Sequence, residues 1–124
     1  MSKKKIVVID DEPDMITHLT ALFEDNDYLV CSANDGEKGM KMIRSEKPDL
    51  ITLDLVMPNK TGVKCLKAIK TDDELKNIPL IIVSGLADFK TFIKKCRPVP
   101  EPDGFIDKPV NEDALLKKVK ELLG

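Results

Sequence analysis

Hydrophobic positions along the chain alternate between two periods. Ile6 to Ile9 form a short unbroken β-branched run, the pattern of a strand buried on both faces. From Asp14 the period lengthens: Met15, Ile16, Leu19, Leu22 and Phe23 share one helical stripe, and Pro13 suits a first turn that needs no backbone donor. Tyr28 to Cys31 reads as a second strand, and Asp35 to Arg44 as a helix with Met40 and Ile43 inward. The cycle repeats with a strand over Leu50 to Leu53 and a helix over Val63 to Lys70, whose Val63, Leu66 and Ile69 share a side. Leu80 to Val83 is strand-like, Ala87 to Lys95 helical, and Gly104 to Ile106 a short fifth strand. In the last helix Asn111 is the cap, Glu112 and Asp113 favour the positive end, and Leu115, Leu116, Val119, Leu122 and Leu123 make one stripe before Gly124.

Strands that alternate with helices imply βαβ units with right-handed crossovers around a parallel sheet, an α/β fold in three layers. Five such pairs in 124 residues leave room for one domain, residues 1–124. With 42% hydrophobic residues the chain is too apolar for disorder, and a formal charge of −2 with 4% aromatics offers no footprint for nucleic acid or an anionic membrane. Cys31, Cys65 and Cys96 are scattered and form no CxxC pattern, which suits reduced thiols and a cytoplasmic location. The basic start, Lys3 to Lys5, is followed by an apolar run far too short for a signal peptide.

In an open α/β sheet, ligands bind beyond the carboxyl ends of the strands. Asp10 and Asp11 follow the first strand, with Glu12 next; Asp54 follows the third; Ser84 and Gly85 end the fourth; Asp107, Lys108 and Pro109 end the fifth. Carboxylates, a hydroxyl and an ammonium thus converge on one edge. Clustered carboxylates repel unless a cation neutralises them, and hard oxygen donors without His or Cys suit Mg2+. Such a site is equipped to hold a phosphoryl group and offers a carboxylate nucleophile to accept one. Taken singly, each of these residues also reads as a turn, a cap or a solvated loop; the signal is their joint order.

In that order the residues resemble the receiver domain of two-component response regulators, over essentially the whole chain. The matching features are Asp10-Asp11, Asp54 through Pro58 with Gly62, Ser84-Gly85, and Phe105 through Pro109. The resemblance implies a flavodoxin-like sheet of order 2-1-3-4-5. It also implies that Asp54 is the phosphoacceptor, served by a phosphohistidine on a sensor histidine kinase or histidine phosphotransfer protein. Asp10, Asp11 and Asp54, with the backbone carbonyl of Val56, would hold Mg2+. Ser84 and Lys108 would bind the phosphoryl oxygens, and Phe105 stands where the family has an aromatic residue that changes rotamer. Output would be a protein contact on the face of the fourth helix, fifth strand and last helix, with a downstream target that the residues do not name.

Two departures stand out. Pro98, Pro100 and Pro102 favour extended backbone, so the fourth helix is expected to stop by about Cys96. Val56 and Leu86 are apolar and cannot orient an attacking water, which implies slow self-dephosphorylation in a protein that is not a metabolic enzyme. The alternatives are a receiver-like scaffold that works without phosphorylation, an aspartate-nucleophile phosphohydrolase, for which Val56 stands where a general acid is needed, and an FMN carrier. His18 reads as a helix-surface residue.

Overall fold

The computed structural model describes residues 3–55, 62–85 and 101–124. In chain order they form β1 (Lys5–Ile9), α1 (Pro13–Asp25), β2 (Leu29–Ala33), α2 (Gly36–Glu46), β3 (Leu50–Leu53), α3 (Gly62–Thr71), β4 (Leu80–Ser84), β5 (Gly104–Asp107) and α4 (Glu112–Leu123). The five strands are all parallel and run β2-β1-β3-β4-β5. The expected helix over 87–95, its stop near Cys96, and Val56 and Leu86 lie outside the described residues.

Alternation along the strands builds two cores. Val7, Ile9, Ile51, Leu53, Leu80 and Ile82 point to the side where α2 and α3 contribute Met40, Ile43, Leu66 and Ile69. Their neighbours Ile6, Val8, Leu50, Ile81 and Val83 meet Leu19 and Phe23 of α1 and Leu115 and Val119 of α4. The central strands are therefore buried on both faces, which is why they read as continuous apolar runs. Thr52 interrupts β3 on the α1/α4 side: its buried hydroxyl has no hydrogen-bond partner among the described residues.

Local chemistry ends the elements. Asp35 accepts a hydrogen bond from Lys38 N at 2.7 Å and caps α2, and Asn111 accepts one from Ala114 N at 2.9 Å and caps α4. β2 begins at Leu29, one residue after the expected start, because Asp27 turns through φ 69° and Tyr28 N closes onto Phe23 O at 3.0 Å. No helix among the described residues is long and apolar enough to cross a membrane.

One device occurs twice at the amino-terminal ends of the strands. Asp49 precedes β3; its N–H donates to Lys5 O and its carboxylate accepts from Lys5 N, both at 2.8 Å. Asp103 precedes β5 and does the same to Leu80 of β4, again at 2.8 Å in both directions. Each aspartate continues the ladder one residue beyond its strand and satisfies a strand-start donor that has no strand partner.

Candidate functional site

At the opposite ends of the strands the ladder also runs on, and there it delivers the reactive side chains. Asp54 N donates to Ile9 O at 3.0 Å and Asp10 N to Ala33 O at 3.1 Å, so the residues after β3 and β1 are held side by side at the switch in strand order. Lys108 N donates to Ser84 O at 3.0 Å, which carries the β4–β5 pairing one step further and turns the lysine over the same edge. Asp10 is 1% and Asp54 4% exposed, Ser84 is fully buried, and Asp11 and Glu12 stand at the open rim.

Carboxylate oxygens of Asp10, Asp11, Glu12 and Asp54 all lie within 4.8 Å of one another. Among the described residues no His or Cys joins them, so the donor set is hard oxygen throughout and fits Mg2+. The Lys108 ammonium lies 2.7 Å from Glu12 Oε1, 3.0 Å from Asp10 Oδ2 and 3.3 Å from Asp54 Oδ2. Burial pushes the Asp10 carboxyl above the usual aspartate range and the Asp54 charge adds to this, against the Glu12 N–H and Lys108, which stabilise the anion. At Lys108, burial favours the neutral amine. The hydrogen bonds to Glu12 and Asp10 and the charges of Asp10 and Asp54 outweigh it and hold the ammonium well above the usual lysine range. Among the described residues, Asp10, Glu12 and Asp54 face the Lys108 ammonium and Asp11 stands beside them, a cluster of carboxylates that a divalent cation would relieve.

Gly62 shapes the floor. Its N–H donates to Leu55 O at 3.0 Å, and a Cβ there would collide with the Asp54 carbonyl oxygen and the Leu55 Cα. Only a residue without a side chain lets α3 start this close to the strand that carries Asp54. Phe105, opposite Ile82 in the register, is half-buried against the core beneath α2 and α3.

The structure therefore brings together Asp10, Asp11, Asp54 and Lys108, with Ser84 at the neighbouring strand end; Phe105 lies three residues before Lys108 on β5, and Val56 is outside the described residues. Sequence reasoning missed the role of Glu12 as the nearest carboxylate to Lys108, because no periodicity links residues 96 positions apart. His18 is indeed on the surface of α1, where Nε2 lies 2.6 Å from Glu112 Oε2 at the start of α4. Cys31 Sγ donates to Glu46 Oε1 at 3.5 Å, and Cys65 is buried in the core beneath α2 and α3.

A family model described as the response regulator receiver domain matches residues 6–120. The chain is 34% identical to protein PilH of Pseudomonas aeruginosa over 119 residues, covering 96% of this chain and 97% of that protein. It is 35% identical to the CAI-1 autoinducer sensor kinase/phosphatase CqsS of Vibrio cholerae, covering 94% of this chain but 17% of CqsS. The crystal structure of response regulator protein TrrA from Thermotoga maritima, in complex with Mg2+ and BeF, superposes with a TM-score of 0.85 at 28% identity, covering 97% of this chain and 99% of that one.

Proposed function

The chain belongs to the response regulator receiver domain family of two-component signalling, and from that premise we propose that it is a phosphorylation-operated switch with Asp54 as the phosphoacceptor. The observation that carries this reading is the shared Lys108 ammonium, 3.0 Å from Asp10 and 3.3 Å from Asp54 within a pocket of four carboxylates.

Asp10, Asp11 and Asp54, with the Val56 backbone carbonyl, would hold Mg2+, which when bound offsets negative charge on the incoming phosphoryl oxygens. An Asp54 carboxylate oxygen attacks phosphorus of a phosphohistidine on a sensor histidine kinase or a histidine phosphotransfer protein. The O–P bond forms as the P–N bond breaks, and the imidazole leaves with the bonding pair and regains its proton from solvent. Asp54 is suited to this because burial strips water from the nucleophile and the Lys108 ammonium stands 3.3 Å away, in reach of the incoming phosphoryl oxygens. The acyl phosphate carries about −1.5 to −2 charge where the carboxylate carried one negative charge. Ser84 and Lys108 take up its oxygens, the loops after β4 and β5 draw inward, and Phe105 turns with them. The outcome is a population shift read by a protein partner, not a catalysed turnover of metabolites. The unit acts in the cytoplasm as one domain over residues 1–124.

Intact-mass spectrometry after incubation with acetyl phosphate and Mg2+ tests this. A single phosphoryl adduct that needs Mg2+ and is absent from Asp54→Asn is the expected result. An adduct that persists in Asp54→Asn would place the acceptor elsewhere.

A further inference from the structure

We infer that Glu12 is a resting-state latch on Lys108, released when the phosphoryl group arrives; this rests on the reading of Asp54 as phosphoacceptor and Lys108 as its cationic partner. An ammonium has three N–H donors and no more. In the resting protein Lys108 faces three carboxylates, Glu12 at 2.7 Å, Asp10 at 3.0 Å and Asp54 at 3.3 Å. A phosphoryl oxygen on Asp54 can therefore gain a Lys108 donor only if one of these acceptors gives one up.

The three are not equal in what release costs. Asp10 is buried and held by the strand-end backbone, and an unpaired buried carboxylate is expensive. Asp54 loses its own share when it becomes the acyl phosphate, and its phosphoryl oxygens then compete with Asp10 and Glu12 for the ammonium. Glu12 has a side chain 59% exposed on a rotatable stem, so water replaces the lost ammonium at once. Its backbone, by contrast, is pinned: its N–H donates to Asp10 Oδ1 at 2.9 Å and its carbonyl accepts from Ile16 N at 3.1 Å. Glu12 occupies the cap position of α1, yet its side chain makes no cap bond there and reaches across to Lys108 instead. A fixed backbone thus delivers a movable carboxylate to the rim of the pocket, and Glu12 sets how readily phosphorylation captures Lys108. An exposed ion pair of this kind shifts an equilibrium by about 1.5- to 5-fold.

Beryllofluoride, the phosphoryl mimic, is titrated at saturating Mg2+ into wild type, Glu12→Gln, Lys108→Gln and the double variant, followed by amide NMR. Glu12→Gln is expected to bind beryllofluoride about threefold more tightly than wild type, and to have no effect once Lys108 is Gln. Unchanged or weaker binding in Glu12→Gln overturns the latch. So does a gain that persists in the Lys108→Gln background, because Glu12 would then act through its own charge. Side-chain amine NMR of the resting protein checks the contact by itself: the Lys108 Nζ signal should move in Glu12→Gln. If that signal moves but wild type does not take up beryllofluoride, the phosphoacceptor reading fails and the switching role of the latch falls with it. A signal that stays in place removes the latch alone.

Discussion

The two ends of the same sheet hold aspartates and lysines, and they use them in opposite ways. At the amino-terminal end, Asp49 and Asp103 each accept from the backbone N–H of the neighbouring strand's first residue, and Asp103 also holds the Lys70 ammonium at 2.5 Å. Backbone donors cannot leave, so that end is stapled. At the carboxyl-terminal end Asp10, Glu12 and Asp54 share the Lys108 ammonium, carried by a long side chain, with Asp11 beside them. There the partner is a group that can move. Fixed donors make the first end a source of fold stability; a movable donor over clustered carboxylates suits the second to the proposed switching.

Removing a carboxylate should therefore have opposite signs at the two ends, while changes to the backbone packing cost stability at either. The largest effect is expected at Gly62, where the carboxyl-terminal edge depends on a missing side chain: Gly62→Ala should cost about 3 kcal/mol in urea unfolding, since a Cβ there meets backbone that cannot step aside. At the amino-terminal edge, Asp103→Ala removes the acceptor of both Leu80 N and Lys70 and should cost about 2–3 kcal/mol by the same measurement. At the carboxyl-terminal edge the reverse is expected: Asp10→Asn should stabilise the fold by about 1 kcal/mol at pH 7 by relieving repulsion and burial of charge.

That gain has a pH signature. Because the folded-state value of Asp10 is raised, the folded protein binds more protons than the unfolded chain just above the ordinary aspartate value of 3.8. Wild-type stability should then fall as pH rises through the window between that value and the raised one. The advantage of Asp10→Asn is full above the window, shrinks as pH drops through it and is lost below 3.8, which thermal unfolding across pH would reveal. A constant advantage at all pH values would mean that charge is not the cause. The smallest effect lies between the two ends: Thr52→Val should add up to about 1 kcal/mol by removing a buried hydroxyl that has no partner among the described residues, read from the same urea curves.

Much of this molecule is legible in its sequence, and the legible parts share a physical cause. Ile6 to Ile9, Leu50 to Leu53 and Leu80 to Val83 read as buried strands because they are buried on both faces, and burial is what a continuous apolar run encodes. Asp10, Asp54, Ser84 and Lys108 were readable as a set because each directly follows or ends a strand, so the topology alone carries them to one edge. Less was readable where partners are remote. Nothing local says that Asp49 and Asp103 clamp Lys5 and Leu80, or that Glu12 spends its carboxylate on Lys108. The start of β2 shifted by one residue because Tyr28 looks like a strand residue but packs edge-on against Phe23, with ring centroids 6.2 Å apart, at the end of a turn. Side-chain type suggested strand there; the backbone turn at Asp27 decided otherwise.

The contrast between a stapled end and an open one is tested most directly by urea unfolding of wild type, Asp10→Asn and Asp103→Asn with and without Mg2+. If Mg2+ fills the charge deficit at the carboxyl-terminal edge, wild type should gain about 1.4 kcal/mol at a Mg2+ concentration tenfold above Kd. Asp103→Asn should start lower and gain as much, while Asp10→Asn should start higher and gain little. A wild-type curve that Mg2+ leaves in place, or an equal gain in Asp10→Asn, would contradict the account.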